Sequence, residues 1–232
     1  MKLWFRAIWH VVGQKTGVNA LGLQKELGLG SYHTAWNWLH KLRYAMVRPG
    51  RDALSGTIEV DDAYLGSPKL SSKKLRQPMD KAVLLIAVER DNGRIGRIRL
   101  CQIPNANTAT MNKVIPTIIE PGSTVITDGW SGYQELQSLG YKHKVLTYKQ
   151  EGKENLLPGA NLIVSLLRRW LMGTHQGAVR RSHLDYYLDE FVFRFNRRKS
   201  QARGKLFYRM IQQAVQIAPL LNKNISKRAK IG

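Results

Sequence analysis

Apolar residues in the first 48 positions recur every three or four residues, the spacing of helices that bury one face. Phe5, Ile8, Trp9 and Val12 predict one helix. Leu21, Leu23 and Leu27 predict a second near Ala20–Leu27, and Gly28 to Ser31 (GLGS) form a tight turn with Ser31 as candidate N-cap. The run YHTAWNWLHKLRYAM predicts a third helix burying Ala35, Leu39, Leu42 and Met46. Two short helices joined by a Gly turn, the second basic and aromatic, match a helix-turn-helix, and any small three-helix packing gives the same pattern.

From residue 55 the pattern changes. TIEVDDAYLG reads as a strand, although Asp is depleted in strands and two stand side by side, Asp61 and Asp62. A basic, Ser-rich loop follows (SPKLSSKKLRQPMD), then the apolar run AVLLIAVER. Asp91-Asn92-Gly93-Arg94 is a hairpin turn leading into IGRIRLCQI. NTATMNKVIPTIIE predicts a helix with Pro116 inside it, STVITD a short buried strand, SGYQELQSLG a helix closed by Gly140, and HKVLTY a last strand. Mixed strands with covering helices make an α/β layered domain. After KQEGKENLLPG the chain is helical again: ANLIVSLLRRWLMG, then HLDYYLDEFVFRFNRR with Leu184, Tyr187, Leu188 and Phe191 on one side, then LFYRMIQQAVQIA. Residues 222–232 read as a frayed basic tail. The segments are therefore 1–48, helical; 55–216, α/β and then helical; and 222–232, the tail.

Charge narrows the function. Lys and Arg number 37 against 16 Asp and Glu in 232 residues, a net charge of +21. Folding does not need that excess, and its usual partner is a polyanion, most often nucleic acid. Six Trp and nine Tyr exclude a merely disordered basic tail. A single cysteine, Cys101, excludes an intrachain disulfide and a Cys-based zinc site, so no zinc is expected; it reads as a core filler in a reducing compartment. The short apolar stretch at the N-terminus is broken by Arg6 and His10, and reads as a helix rather than a signal or a membrane span.

Asp128 closes the STVITD strand and is followed by Gly129. Ligands in α/β sheets bind at that edge. Two Asp residues on neighbouring strands offer hard oxygens to divalent cations, and a pair of such cations stabilises both the attacking and the leaving oxygen of a phosphodiester displacement. Alternation along a strand puts Asp61 and Asp62 on opposite faces. Spacing alone does not say which of them serves.

GVNALGLQKELGLGSYHTAWNWLHKLRYAM followed by GTIEVDDAYLG resembles the insertion-sequence DDE transposases with an ISXO2-like transposase domain. ITDGWSGY is similar to their second-carboxylate motif, and LPGANLIVSLLRRWLMGTHQG and HLDYYLDEFVFRFNRR to their C-terminal helical motifs. The likeness runs from about Trp4 to Arg209. It implies an RNase H-like mixed sheet with flanking helices that cuts and joins DNA with Mg²⁺, Mn²⁺ substituting. It assigns Asp61 and Asp128 as metal-binding acids, Asn161 as third ligand where relatives vary among Glu, Asn and His, and Arg168 where they carry Lys. The missing Cys-rich zinc ribbon, the Arg and the neutral third ligand are departures from the pattern.

The resulting expectation is a transposase acting on duplex DNA at element ends and on target DNA, assembled as a homo-oligomer on DNA, cytoplasmic and nucleoid-associated. Tyr32, His33, Trp36, Asn37, Lys41 and Arg43 are candidate DNA contacts on the third helix, and Lys69, Lys73, Lys74 and Arg76 on the basic loop. The alternatives are a truncated or decayed copy that only binds DNA, and a hydrolytic nuclease of the same fold.

Overall fold

The computed structural model describes residues 1–65, 82–147, 155–177 and 179–227. The chain divides into two compact units, one of Asp52–Arg168 and one of Met1–Arg51 with Arg169–Arg228.

In the first unit, β1 (Thr57–Leu65), β2 (Ala82–Asp91), β3 (Arg94–Ile103), β4 (Thr124–Thr127) and β5 (Lys142–Val145) form one sheet in the order β3-β2-β1-β4-β5. The β1–β2 and β2–β3 pairs are antiparallel, and β1–β4 and β4–β5 are parallel. The β2–β3 hairpin turns at Asn92 and Gly93, φ 47° and 79°, as the Asn-Gly signal predicts. Strands buried on both faces are apolar at nearly every position, and β2 is of this kind. One face carries Ile58, Val60, Val83, Leu85, Ala87, Cys101 and Ile103, which pack with Met111, Val114, Ile115 and Ile118 of the helix Thr108–Ile118 (α4 in chain order). Pro116 sits in the last turn of that helix and has no N–H to donate to the Asn112 carbonyl.

One predicted element differs. SGYQELQSLG is not an α-helix but a 3₁₀ turn, Ser131–Tyr133, followed by further turns ending at Gly140. Its early amide bonds reach back three residues, Tyr133 to Trp130 and Gln134 to Ser131. The tighter path buries Tyr133, Leu136 and Tyr141 in the sheet core.

The second unit contains α1 (Lys2–Gly13), α2 (Ala20–Leu27) and α3 (Tyr32–Ala45), with the later helices α6 (Leu184–Asn196) and α7 (Arg203–Gln216). The long helix α5, Pro158–His175, starts in one unit and ends in the other. The buried face of α1 is Ala7, Ile8, Val11 and Val12, so the predicted stripe is rotated. Phe5 and Trp9 are exposed at its edge and lie against Phe207, with centroids 6.2 and 5.8 Å away. The α3 face is as predicted, with Ala35, Leu39, Leu42 and Met46 buried. Ser31 holds the N-cap position of α3 without a side-chain bond. The tail is not frayed throughout: Asn222–Lys227 form a 3₁₀ helix, and Tyr186 donates its hydroxyl to the Ile225 carbonyl at 3.1 Å.

A buried ion pair organises this unit. Glu190 accepts from Arg43 Nε at 2.7 Å and from Arg194 Nε at 2.8 Å, and Arg43 lies over the Tyr187 ring, 4.0 Å from its centroid. The two arginines hold the Glu190 carboxyl well below its usual range although burial opposes them. His40 and His175 are buried near by, each with an unpaired Nε2. Burial, then the Arg43 charge, pushes His40 down to about 3 and His175 down to about 4. Both imidazoles are therefore neutral when folded. Below pH 6.5 the unfolded chain takes up protons that the folded chain refuses, so stability is withdrawn as pH falls from 6.5 toward 4. Replacing His175 by Gln removes one such group. Between pH 7 and 4.5 the variant is expected to lose about 2 kcal/mol less stability than the parent, read from urea unfolding at each pH. Equal losses would show that His175 does not titrate in this way.

Candidate active site

The acids of β1 separate by face. Asp62 lies on the α4 face with Ile58 and Val60, opposite Leu85 of β2, and accepts the Tyr133 hydroxyl at 3.2 Å. Asp61 lies on the other face with Glu59, opposite Ile86. Its Oδ1 accepts the Asp62 backbone N–H at 2.9 Å.

The parallel pairing of β1 with β4 matches Glu59 to Ile126. Carrying that register two residues further sets Asp128 level with Asp61. Asp128 follows the last residue of β4, where the chain leaves the sheet. Its Oδ1 accepts the Trp130 N–H at 3.1 Å, and Gly129 between them has φ 86°. A Cβ on Gly129 would stand 2.8 Å from Val145 Cγ1, so this turn requires glycine.

The two carboxylates repel. Burial, and next the Asp128 charge, raise the Asp61 carboxyl to about 6, with smaller upward pushes from Asp62 and Glu59. Asp62 is raised too, first by burial, with a contribution from Asp128. Tyr133 is raised, first by burial and then by Asp62 and Asp61. Asp61 and Tyr133 thus each feel more than one neighbouring carboxylate, and Asp62 feels that of Asp128.

Glu59 has a different task. Its Oε2 accepts the Ala160 N–H at 3.0 Å in the first turn of α5, and its Oε1 lies 3.2 Å from Arg90 Nε. A carboxylate at a helix N-terminus satisfies an otherwise unbonded amide and suits the positive end of the helix. Gly159 permits the approach, because a Cβ there would lie 2.6 Å from Glu59 Oε2. At the other end of the strand, Arg168 donates to the Tyr64 carbonyl at 3.1 Å. These two bonds tie α5 alongside β1. Asn161 follows Ala160 at the exposed side of that first turn, and its Nδ2 donates to Asn155 Oδ1 at 2.7 Å.

The candidate DNA contacts fare unevenly. Arg43 is only 2% exposed and is committed to Glu190, so it is not a surface contact. Asn37 is buried and bonded to His33 Nδ1 at 3.1 Å. Trp36 is half-buried and lies on His40 at 3.9 Å between centroids. Tyr32 and His33 are exposed and Lys41 is half-buried. Apolar periodicity does not reveal that Arg43 and Asn37 sit on the inward stripe of α3, since the partner Glu190 is 147 residues away. Lys69, Lys73, Lys74 and Arg76 lie outside the described residues.

A family model described as the ISXO2-like transposase domain matches residues 53–196. The chain belongs to this family. The five-stranded mixed sheet flanked by helices is consistent with an RNase H-like transposase fold. The transposase domain spans Asp61, Asp128, Asn161 and Arg168, and α1 to α3 lie before it. No curated protein matches the chain.

Transposases of this kind generally use divalent metal, and the donor chemistry here fits one. Asp61 and Asp128 are hard oxygen donors whose mutual repulsion a cation would relieve. Among the described residues, no group of three or more His, Cys, Asp and Glu side chains is arranged to hold a metal ion. Among the described residues, a third protein ligand would come from another residue type, and Asn161 is one.

The raised Asp61 carboxyl has a stability consequence. Its folded value, about 6, lies above the ordinary carboxylate value, so its contribution to stability is full in acid and lost as pH rises through 6. In metal-free buffer Asp61→Asn is expected to be more stable than the parent at pH 8, by on the order of 2 kcal/mol, and equal to it at pH 3. Thermal unfolding with chelator at both pH values checks this. A variant no more stable at pH 8 would mean that the Asp61 charge is not under strain.

Proposed function

We propose that this transposase-family chain cleaves DNA strands and joins them to target DNA in a metal-dependent reaction, with Asp61 and Asp128 as the acids that bind the metal. The observation that carries the reading is the placement of Asp61 on β1 and Asp128 just past the end of the parallel neighbour β4, where the Asp128 charge adds to burial in raising the Asp61 carboxyl. The buried acids Glu59 and Glu190 are offset by arginine, Glu59 by Arg90 and Glu190 by Arg43 and Arg194, whereas Asp61, partly buried, and Asp128, exposed, have no such partner among the ion pairs of the described residues. In a protein of net charge +21, two carboxylates set against each other are best explained by a cation they share.

Divalent cations held there supply Lewis acidity at the attacking and leaving oxygens of a phosphodiester. The chain's own side chains do the positioning. Tyr133 orients Asp62 behind the site, and the Asp62 amide fixes one oxygen of Asp61. The Trp130 amide fixes one oxygen of Asp128. Glu59 seats the first turn of α5, which carries Asn161 as a third, neutral donor. Arg168, exposed on the same helix, keeps a positive charge beside the end of β1, where it suits a phosphate. Exposed cations of the chain supply duplex affinity, and the Gly-turned α2–α3 pair presents Tyr32, His33 and Lys41 to it.

Asp61→Asn and Asp128→Asn are each expected to reduce Mg²⁺-dependent nicking of plasmid DNA by at least a hundredfold, with duplex affinity changed less than threefold. Parental nicking by either variant would remove that acid from the site. Transfer of a pre-cut 3′ end to target DNA separates transposition from simple hydrolysis.

Asn161 has two readings that a pair of variants separates. As a ligand, its change to Asp keeps or raises metal affinity, and its change to Leu lowers both metal affinity and cleavage. As a helix-start residue bonded only to Asn155, its change to Leu costs about 1 kcal/mol of stability and leaves metal affinity alone. A folded Asn161→Leu protein with parental Mn²⁺ affinity leaves a two-acid centre.

A further inference from the structure

Trp130 is more exposed than a residue of its kind needs to be. Tryptophan usually buries its large ring and leaves only a polar edge to find a partner. Here the arrangement is inverted. The polar edge is satisfied inside the protein, Nε1–H donating to the Ala106 carbonyl at 2.9 Å, while the residue as a whole is 53% exposed. Among the described residues no other aromatic ring packs on it. The exposed Trp9, by contrast, lies on Phe207.

The ring is also held still. Its backbone N–H is bonded to Asp128 Oδ1, and its carbonyl accepts the Tyr133 N–H at 3.1 Å. Gly132 packs beneath the indole, where a Cβ would come within 3.0 Å of Cδ1 and 2.5 Å of the Ala106 carbonyl. Thr108 Oγ1 donates to the Ser131 carbonyl at 3.4 Å, a second tie between the same two loops. The result is an immobilised aromatic surface facing solvent, two residues from Asp128.

Nucleobases stack on aromatic side chains whatever their sequence, at about 1–3 kcal/mol per base. A ring fixed beforehand loses little entropy when one arrives. Bases inside an intact duplex already stack on one another, so only an unpaired base has a face to offer. We propose that Trp130 is a stacking platform for an unpaired base of a DNA end lying beside Asp128, so that the preferred substrate is a DNA end with at least one unpaired nucleotide. This rests on the transposase reading above and adds the state of the DNA to it.

The test uses the full chain in metal-free buffer, so that no strand is cut. The probes are a blunt 30-base-pair duplex and the same duplex with a three-nucleotide 3′ tail carrying 2-aminopurine. The parent is expected to bind the tailed duplex about 5- to 20-fold tighter than the blunt one and to quench the 2-aminopurine. Trp130→Leu, which keeps bulk but has no π face, is expected to lose both the preference and the quench and to hold the blunt duplex within twofold. Trp130→Phe keeps a ring and is expected to retain most of both. A folded Trp130→Leu protein with the parent's preference and quench overturns the proposal. So does a parent that binds both duplexes equally without quenching, in which case the transposase reading stands. A parent that binds neither duplex removes that reading and the proposal with it.

Discussion

Repulsion between a carboxylate on β1 and one just past the end of the neighbouring parallel strand β4 is the constraint around which the candidate site is arranged. Asp61 lies on β1 two residues beyond its last pairing with β4, Asp128 follows the end of β4, and Gly129 turns the chain away immediately beyond. Asp61 cannot retreat without breaking the β1–β2 pairing or unburying neighbours such as Ile58 and Val60. Burial, and after it the Asp128 charge, raise the Asp61 carboxyl to about 6. The hydrogen bonds to Asp61 and Asp128 each fix an oxygen without cancelling a charge, since the donors are backbone amides. What the fold leaves uncompensated is negative charge, in a chain that otherwise has positive charge in excess.

Glu59 and Glu190 show what the same chain does with acids it needs only for structure. Glu59 is shared between Arg90 and a helix amide, and Glu190 is gripped by two arginines. Loss of a partner from such a buried pair costs several kcal/mol, because the remaining charge is stranded. Glu59 also links structure to chemistry. It lies on the Asp61 face of β1 and receives the first turn of α5, so the strand that carries one acid also positions Asn161.

Much of the sheet was legible because its signals are local. The Asn-Gly hairpin, the apolar β2 run and the strand ending on Asp128 each depend on a few adjacent residues. The alternation rule separated Asp61 from Asp62, but only the tertiary fold shows that Tyr133 claims Asp62 and α5 claims Glu59. The segment after Trp130 has helical composition, yet it takes a 3₁₀ path that seats Tyr133 in the core. Arg43 looked like a DNA contact because it is basic and sits on a helix after a Gly turn. Its buried partner lies far along the chain, where periodicity carries no information. Likewise the exposure of Trp130 follows from a bond to Ala106 that the motif DGWSGY does not disclose.

The direct question is whether Asp61 and Asp128 together hold a divalent cation. Electron paramagnetic resonance of Mn²⁺ answers it without any need for DNA or turnover. Titrated into the parent chain at pH 8, Mn²⁺ is expected to lose its free-ion signal at stoichiometric addition, and Asp61→Asn/Asp128→Asn protein is expected to leave that signal unchanged. Equal Mn²⁺ uptake by the parent and the folded double variant would contradict the assignment of these acids as the metal site.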